Sequence, residues 1–549
     1  MDKRQTQVQA LSQHFFRSFF QTSADATETP VVRALAAVAT PALMAAFWIV
    51  TLAHGLHGWN GAGVHYLFVL YSFCAMGCVT AVQWEALFPE RADFLILLPM
   101  PLQRWTMFSA KLRAVLLFLG LFLLSANVFG TLLMPVLAGR HIVRAMFAHC
   151  VAVMCAGAFA ALAVLLVEAV VLAVVPERWF RRVSPVVQTL LIAMFLLLFL
   201  RMDSVVEQVQ PLLQGDVSAV WWFPQLWFLA LYECLMGGVT ATPFAHVLAR
   251  SALLSLPVLA VLVAAAYPTA WLKRRHVALE GVRSARLRDP RWTLLLHSTV
   301  LRDADARAVF HFLRQTLTRL SRYHVYLAAY CGVGMALALT IALHLDFAHG
   351  MQVRLQPNGA LAVVPLLLFW LVAGLRGAFR LPADLGARWV FRMAPLSTRR
   401  VVSVTKMLVF GLACCMVLAV VAVLAACGWQ RHALGLQVVF GLVCSVLLVD
   451  AFLHLEDSVP FTRPLQSERS SLPMTLVVYV FGTPLFVLLI VTLEQDVATH
   501  PWHLARVVLA AAAVHGLMHW LRTLPSHPVS EDAFLGENHV EVQTLGLSV

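Results

Sequence analysis

Long uninterrupted apolar runs constrain this sequence more than any other feature. Runs of about 20 residues can cross a bilayer as a helix, and these lack the alternation that predicts a membrane β-barrel. Charged residues make up 12% of the chain and its mean hydropathy is +0.80, whereas soluble domains carry roughly 25% charged residues. The sequence predicts an all-α polytopic membrane protein with about twelve membrane helices, near residues 34–53, 64–84, 114–137, 148–174, 184–200, 251–272, 325–345, 361–375, 407–427, 436–454, 474–493 and 504–521.

Basic residues predict the orientation of these helices. Lys and Arg in short loops favour the cytoplasmic side, and most of the 40 basic residues fall in alternate loops and near both chain ends. This topology signal accounts for the net charge of +12, so we predict cytoplasmic termini, contact with lipid headgroups and no nucleic-acid partner. The basic residues predicted to lie outside are Arg140, Arg144, Arg201, Arg250, Arg354, Arg431 and Arg506.

Three short motifs occur twice in the same order, which predicts two related halves of six membrane helices each. Each motif contains the same residue types at the same spacing, and the distance between copies shrinks only after a loop. The first pair is HFFR at 14–17 with HFLR at 311–314. In the second pair an Arg precedes a Lys by seven residues, at 104 and 111 and again at 399 and 406. The third pair is LLVEA at 165–169 with LLVDA at 447–451.

The repeats and the charge distribution together predict the organisation of the chain. Each half begins with an amphipathic helix that carries apolar residues on one side and Arg nearby, which is typical of a helix lying in the membrane interface. The predicted parts are an interfacial helix in 1–33, a first six-helix half in 34–272 with a polar insertion at 85–111, a basic linker with a second interfacial helix in 273–322, a second half in 323–522 with an insertion at 376–406, and a cytoplasmic tail in 523–549.

The two insertions resemble the coupling segments of permease subunits of type-two ABC exporters, particularly fused permeases with two six-helix halves. In that family a Leu-Pro segment follows the second helix, continues to an Arg and a Lys, and forms the helix that contacts the ATPase. Other similar stretches are 88–93, 227–233, 459–462 and 542–547. The residues that match the coupling segments are Leu98, Pro99, Pro101, Leu102, Arg104, Lys111, Pro395, Leu396, Arg399, Arg400 and Lys406.

The resemblance implies a permease in the bacterial cytoplasmic membrane whose insertions dock on two copies of a separate ATPase. A Walker A loop requires Gly-x4-Gly-Lys-Ser/Thr, so that backbone N–H groups can cradle phosphates, and this chain contains no Gly-Lys pair. We therefore expect no catalytic residue and no cofactor in this chain, with ATP–Mg bound by the partner. His515 and His519 have metal-like spacing but no third ligand nearby in sequence, so no metal site is expected.

Glu168 and Asp450 lie in apolar runs at matched positions. An ionised carboxylate near mid-membrane costs roughly 2.5–3.5 kcal/mol, so their presence requires an explanation. One interpretation is a proton relay or a polar patch on a transport path, which makes a proton-coupled secondary transporter the alternative function. The other is a hydrogen bond that locks neighbouring helices near their cytoplasmic ends.

The predicted outer segment 203–248 carries a cluster of aromatic residues. It is interpreted either as an interfacial aromatic belt or as a re-entrant hairpin that shields the outer end of a path, as in the resembled exporters. A third possible function is a membrane-embedded transferase acting on lipid-linked sugars, which would require paired acids in an outer loop. The candidate acids in this segment are Asp203, Glu207 and Asp216. The aromatic residues singled out are Trp221, Trp222, Trp227 and Tyr232.

Overall fold

The fold is a set of long apolar helices, as the composition predicts. Eleven helices in the described part of the chain are long and apolar enough to cross a membrane, and each overlaps one predicted run. The remaining run, 34–53, contains the shorter apolar helix Ala39–Ile49. The computed structural model describes residues 3–19, 39–49, 51, 61–89, 91–97, 99–138, 141–206, 208–214, 218–237, 242–280, 296–298, 301–346, 352–381, 398–454, 459–461 and 472–523.

The helices of the first part of the chain include both membrane-length and short elements. Two very short helices, α8 and α9, and a 3-10 turn at Ser218–Trp222 lie between α7 and α10. The bounds are α1 Lys3–Ser18, α2 Ala39–Ile49, α3 Gly61–Val82, α4 Arg91–Leu97, α5 Arg104–Ala138, α6 Ile142–Val174, α7 Glu177–Leu200, α8 Met202–Val206, α9 Val209–Gln214, α10 Pro224–Gly237 and α11 Pro243–Glu280.

The second part contains seven longer helices and one small sheet. Their bounds are α12 Ala304–Arg319, α13 Ser321–Ala342, α14 Pro357–Arg380, α15 Thr398–Ala426, α16 Arg431–Phe452, α17 Leu472–Thr499 and α18 His503–Thr523, with strands β1 Leu343–Asp346 and β2 Gln352–Leu355 between α13 and α14.

The small sheet departs from the all-α prediction. The two strands pair antiparallel, with Leu343 opposite Leu355 and Asp346 opposite Gln352. The β1 sequence alternates apolar and polar residues, which suits a strand with one buried face. The sequence does not predict this strand, because an alternation of only four residues directly after a long apolar helix is too short to identify a strand.

The chain divides into two compact units. The first comprises residues 1–287 and 335–356, and the second comprises 288–334 and 357–549. The division falls inside α13, whose C-terminal part belongs to the first unit. Within that unit the Arg201 guanidinium donates from Nη2 to the Thr340 carbonyl at 2.7 Å.

The core of the first unit is built on α6, which packs against α3, α5, α10 and α11. Small residues permit this close approach, as is common between membrane helices. A Cβ at Gly77 would lie 2.3 Å from the Phe195 ring, and one at Gly157 would lie 2.4 Å from a Leu123 methyl group. These two glycines therefore fix how closely α3 and α7, and α6 and α5, can pack.

The core of the second unit is built on α14, which packs against α15, α16 and α17. Its buried face includes Leu368, Val372 and Ala373. Close approach again depends on a small residue, because a Cβ at Gly441 of α16 would lie 2.7 Å from a Val417 methyl group of α15. The helix most exposed in this unit is α18, where the apolar window has no buried residue.

Candidate functional site

The first predicted coupling segment forms short helical pieces and a proline turn. A 3-10 turn at Trp84–Leu87 is followed by α4, and α5 begins at Arg104. Pro99 and Pro101 lie in the turn between α4 and α5, because proline lacks the N–H donor that a helix interior requires. The helix that follows the prolines is the long helix α5 and not a separate short helix.

A buried aromatic cluster attaches this segment to the C-terminal half of α11. The Phe88 ring stacks on Tyr267 with centroids 4.5 Å apart, and Phe94 packs edge-to-face on Trp271 at 5.5 Å. Phe108 of α5 packs against both α11 rings, at 5.8 and 5.3 Å. Because protein interiors are close-packed, these ring contacts hold the segment tightly against α5 and α11.

A tyrosine hydroxyl also fixes the backbone where the segment begins. The Tyr267 hydroxyl donates to the Leu87 carbonyl at 2.8 Å, and both residues are buried. Leu87 belongs to the turn that follows α3, so this bond ties the predicted cytoplasmic end of α3 to α11. A buried carbonyl that loses its partner costs about 1–3 kcal/mol, so the hydroxyl group holds this connection in place.

The other side of the segment is apolar and exposed. α4 buries Phe94 and Leu97 and exposes the two residues between them, Leu95 and Ile96. The turn and the start of α5 add two more exposed apolar side chains, Met100 and Trp105. An amphipathic helix with such a face suits a groove on a partner protein.

The predicted coupling residues of this segment are distributed around the turn. Pro99 and Pro101 are exposed and Leu102 is half-buried. Leu98 and the side chain of Arg104 lie outside the described residues.

The lysine that ends the segment faces inward. Lys111 is only 2% exposed, and its ammonium group lies 5.0 Å from the Phe15 ring centroid and 4.7 Å from that of Phe19. Phe19 in turn stacks on Phe118 of α5 at 4.5 Å. Lys111 therefore takes part in the contact between the interfacial helix α1 and α5 rather than presenting its charge on the surface.

The second predicted coupling segment is described only at its ends. Pro395, Leu396 and the side chain of Arg399 lie outside the described residues. Arg400 is exposed and donates from Nη1 to the Asp305 carboxylate at 2.7 Å, with Asp303 3.7 Å from Nε. Arg400 thus joins the start of α15 to the start of the interfacial helix α12.

Tyr323 fixes the backbone where this second segment begins. Its hydroxyl donates to the Leu381 carbonyl at 3.0 Å, and its ring packs on Phe461 with centroids 4.8 Å apart. Phe461 N donates to the Phe379 carbonyl at 2.7 Å. Phe461 has a φ of +68°, which is strained for a bulky residue, and the buried ring and this hydrogen bond offset the strain.

Asp450 lies in the last turn of α16 between two basic side chains. Lys406 donates from Nζ to its Oδ1 at 2.5 Å, and His515 Nδ1 contacts its Oδ2. The Asp450 side chain is only 7% exposed. This arrangement joins α15, α16 and α18 through one carboxylate. Asp450 is therefore the partner of His515, which the sequence did not identify.

Glu168 is fully buried and lies in the last two turns of α6. It interacts electrostatically with the Tyr267 hydroxyl, which places it near the aromatic cluster that holds the predicted coupling segment. Both matched carboxylates therefore lie toward the ends of their helices that are predicted to be cytoplasmic, a location that favours the helix-locking interpretation.

The outer aromatic residues divide into an exposed and a buried group. Trp221 and Trp222 are exposed, and the latter is 81% exposed. Trp227 is half-buried and donates from Nε1 to the Val220 carbonyl at 3.2 Å, while Tyr232 is buried. Because α10 packs against α3, α6 and α11, this segment is part of the helix bundle and not only a belt of surface aromatics.

A buried polar cluster lies beside α10. The Tyr232 hydroxyl is 2.8 Å from His65 Nε2, and the His149 ring lies 6.2 Å from that of His65. His149 and Asn127 line a cavity of about 10 Å³, which is about the space of one water molecule. Burial raises the pKa of the neighbouring Glu233 carboxyl, so this carboxyl holds its proton to higher pH than an exposed one.

The comparisons with known proteins add no relative to this geometry. No family model, curated protein or solved structure matches the chain at a significant level. The resemblance to exporter permeases therefore rests on the sequence motifs alone.

Several interacting residues were missed by the sequence reasoning. Tyr267, His65 and His149 are single polar residues in apolar runs, and this pattern identifies candidates for buried hydrogen bonds. Tyr323 lies between Arg322 and His324 and lacks this signal. Of the candidate transferase acids, Asp203 is exposed in the first turn of α8, and Glu207 and Asp216 lie outside the described residues.

Proposed function

We propose that this chain is the transmembrane permease subunit of an ATP-driven exporter. The observation that carries the proposal is the segment at 84–103, which is attached to α5 and α11 on one side and presents an exposed apolar face on the other. A coupling element must combine both properties, because it has to receive a force from a partner and pass it to membrane helices.

The anchored side supplies the transmission. Phe88 and Phe94 are buried against Tyr267 and Trp271 of α11. Displacing the segment without moving α11 would open cavities beneath these rings, and removing a buried Phe side chain typically costs about 3–5 kcal/mol. Moving the segment and α11 together avoids that cost, so the two move as one body.

The exposed side supplies the docking surface. Leu95, Ile96, Met100 and Trp105 surround the proline turn and are all exposed. Arg104, the first residue of α5, is the basic residue that matches the coupling segment of the resembled family. We propose that an ATPase subunit receives this surface in an apolar groove with acidic residues at its edge.

The second segment is proposed to dock a second ATPase copy. Its two ends are held by Tyr323, which binds the Leu381 carbonyl, and by Arg400, which binds Asp305. Both anchors fix the described ends of the segment, Leu381 and Arg400, and a second coupling element requires such fixed ends.

Co-purification tests the proposal. The protein, carrying a tag at its C-terminus, is extracted from its native membrane and its partners are identified by mass spectrometry and by ATPase activity. We expect a Walker A protein with the wild-type chain, and a loss of about tenfold or more with Met100→Glu or Arg104→Glu, because a charged or reversed residue in the centre of an interface removes a hot spot.

Arg182→Glu is the matched control. Arg182 is an exposed basic residue in α7, on the predicted cytoplasmic side but outside both coupling segments. It should retain the ATPase. Equal recovery with all variants, or no nucleotide-binding protein with the wild-type chain, would overturn the proposal.

A proton-coupled secondary transporter is the second candidate, and the contact between His515 and Asp450 favours it. An imidazole beside a carboxylate within an apolar bundle is an arrangement that proton relays use. Uptake or efflux in proteoliposomes with a proton gradient and no nucleotide would select this candidate over the exporter. Transport that requires ATP and the partner subunit would exclude it.

A further inference from the structure

Three potential metal ligands meet where α17 and α18 join. Asp496 lies in the last turn of α17, His500 in the connecting turn and His503 at the start of α18. One ligand atom from each lies within 4.8 Å of the others. The Asp496 carboxylate is 2.5 Å from His503 Nδ1 and 3.7 Å from His500 Nδ1.

The connecting turn imposes this convergence. His500 N donates to the Asp496 carbonyl at 2.8 Å, and His503 N donates to the His500 carbonyl at 2.9 Å. These two bonds continue helical geometry through the turn, so that residues three and four apart fall on the same side. The spacing Asp-x3-His-x2-His therefore brings all three side chains to one side of the turn.

Neighbouring side chains hold the His503 ring in position. Trp502 packs edge-to-face on it with centroids 3.9 Å apart, and the Arg506 guanidinium lies 4.0 Å from the Trp502 ring centroid. Ordered ligands lose less conformational entropy when they bind, and such supporting contacts are typical of metal sites. His500 Nδ1 is also 2.9 Å from the Thr499 hydroxyl, a hydrogen bond that a metal would replace.

We propose that Asp496, His500 and His503 bind a divalent transition-metal ion of the zinc class. Two imidazoles and one carboxylate suit zinc, whose tetrahedral ligands lie about 2.0–2.2 Å from the metal. Calcium and magnesium prefer oxygen ligands, so they are excluded from this site. The fourth position stays open to water or to a further ligand.

The site gives α18 a second attachment to its unit. The apolar window of α18 has no buried residue. Besides the contact of His503 with Asp496 at its start, α18 has a polar contact further along, between His515 and Asp450 of α16. A metal that joins the end of α17 to the start of α18 would hold the N-terminal part of α18 in place. This role is independent of the proposed coupling to an ATPase.

Calorimetric titration with zinc chloride tests the site. The full chain is purified in detergent with a tag that contains no histidine. Its cysteines are alkylated first, because Cys415 and Cys427 are exposed and thiolates are common zinc ligands. We expect saturable binding of zinc and none of calcium. Asp496→Asn, His500→Gln and His503→Gln should each weaken zinc binding by at least about tenfold, because each removes one of three ligands.

His432→Gln is the matched control, since His432 is an exposed histidine at the start of α16 outside the proposed site. This variant should bind zinc with the affinity of the wild-type chain. A second measurement follows amide hydrogen exchange in α18, which zinc should slow in the wild-type chain and not in Asp496→Asn, a variant of nearly unchanged shape. Identical zinc affinity in wild type and Asp496→Asn, or unchanged exchange in α18 on zinc addition, would overturn the proposal.

Discussion

At the predicted cytoplasmic ends of the two units, the matched lysines are held by different interactions. In each unit an interfacial helix packs on the helix that carries the matched lysine, α1 on α5 and α12 on α15. In the first unit that lysine, Lys111, lies over the rings of Phe15 and Phe19. In the second unit Lys406 binds Asp450, which also contacts His515.

The difference shows what each interfacial helix contributes. α1 covers its lysine with aromatic faces, whose negative quadrupole attracts a cation. α12 is attached through Arg400 and through its buried apolar residues. The first unit thus couples the lysine to the interfacial helix, and the second couples it to the membrane helices α16 and α18.

Removing the carboxylate of the second unit should have the largest effect on stability. Asp450→Ala leaves Lys406 and His515 without their shared acceptor, and breaking a buried ion pair in this way costs about 3–5 kcal/mol. The free energy of unfolding in mixed detergent micelles measures the loss.

The double variant Asp450→Leu with Lys406→Met should recover most of this loss, because apolar groups often replace a buried ion pair at little cost. An equal loss in the single and double variants would show that the carboxylate acts through another partner.

Removing an aromatic ring that packs on Lys111 in the first unit should have the next largest effect on stability. Phe15 is fully buried, so Phe15→Ala should cost about 3 kcal/mol and detach α1 from α5. Amide hydrogen exchange should accelerate throughout α1 and stay unchanged in α14, which belongs to the other unit. Gln13→Ala, at an exposed position of the same helix, is the control and should leave the exchange of α1 unchanged.

The sequence predicts the helices well and their lateral contacts poorly. Apolar runs identify spanning helices because lipid requires every backbone group to be paired within its own segment. The partners of a polar side chain depend instead on which helices become neighbours. His515 illustrates this limit, because its spacing to His519 suggests a metal pair whereas the fold brings it to Asp450, 65 residues away.

One kind of residue in the candidate site could be predicted from sequence and two could not. The prolines at 99 and 101 predict the turn before α5, since their chemistry is local. The exposed apolar face of α4 could not be predicted, because the four residues at 94–97 are all apolar. The anchoring of that helix by Tyr267 could not be predicted, because the two residues joined by its hydrogen bond are 180 positions apart.

The two backbone-holding tyrosines should have smaller and similar effects. Tyr267→Phe and Tyr323→Phe keep the ring and remove the hydroxyl that binds the Leu87 or Leu381 carbonyl. Each should lower the free energy of unfolding by about 1–2 kcal/mol, the usual cost of an unmade buried hydrogen bond. Under the proposed function each should also reduce ATPase stimulation by the permease.

Tyr71→Phe, on the outer part of α3, is the control and should affect neither quantity. A large stability loss with only one of the two variants would show that the units do not hold their segments in the same way.

The smallest effect on stability is expected for the ion pair of Arg400 with Asp305. Both side chains are about half exposed, at 51% and 44%, and such pairs contribute only about 0.2–1 kcal/mol. Asp305→Ala should therefore hardly change the unfolding free energy, and its small effect should vanish in about 1 M salt, where the Debye length falls to about 3 Å.

Exchanging the two charges of this pair tests whether Arg400 only attaches α12 or also contacts the ATPase. Arg400→Asp combined with Asp305→Arg restores the attraction between α15 and α12 but removes the positive charge from the predicted coupling segment. If Arg400 only attaches the interfacial helix, this double variant should bind the ATPase like the wild-type chain. If Arg400 is also part of the docking surface, as the resemblance to coupling segments implies, the double variant should stay as stable as wild type while losing ATPase recovery by about tenfold, which is about 1.4 kcal/mol of binding free energy. Because the stability effect is so small, any larger loss of binding must come from the interface itself, and this exposed pair therefore gives the clearest separation of the two roles in the second unit.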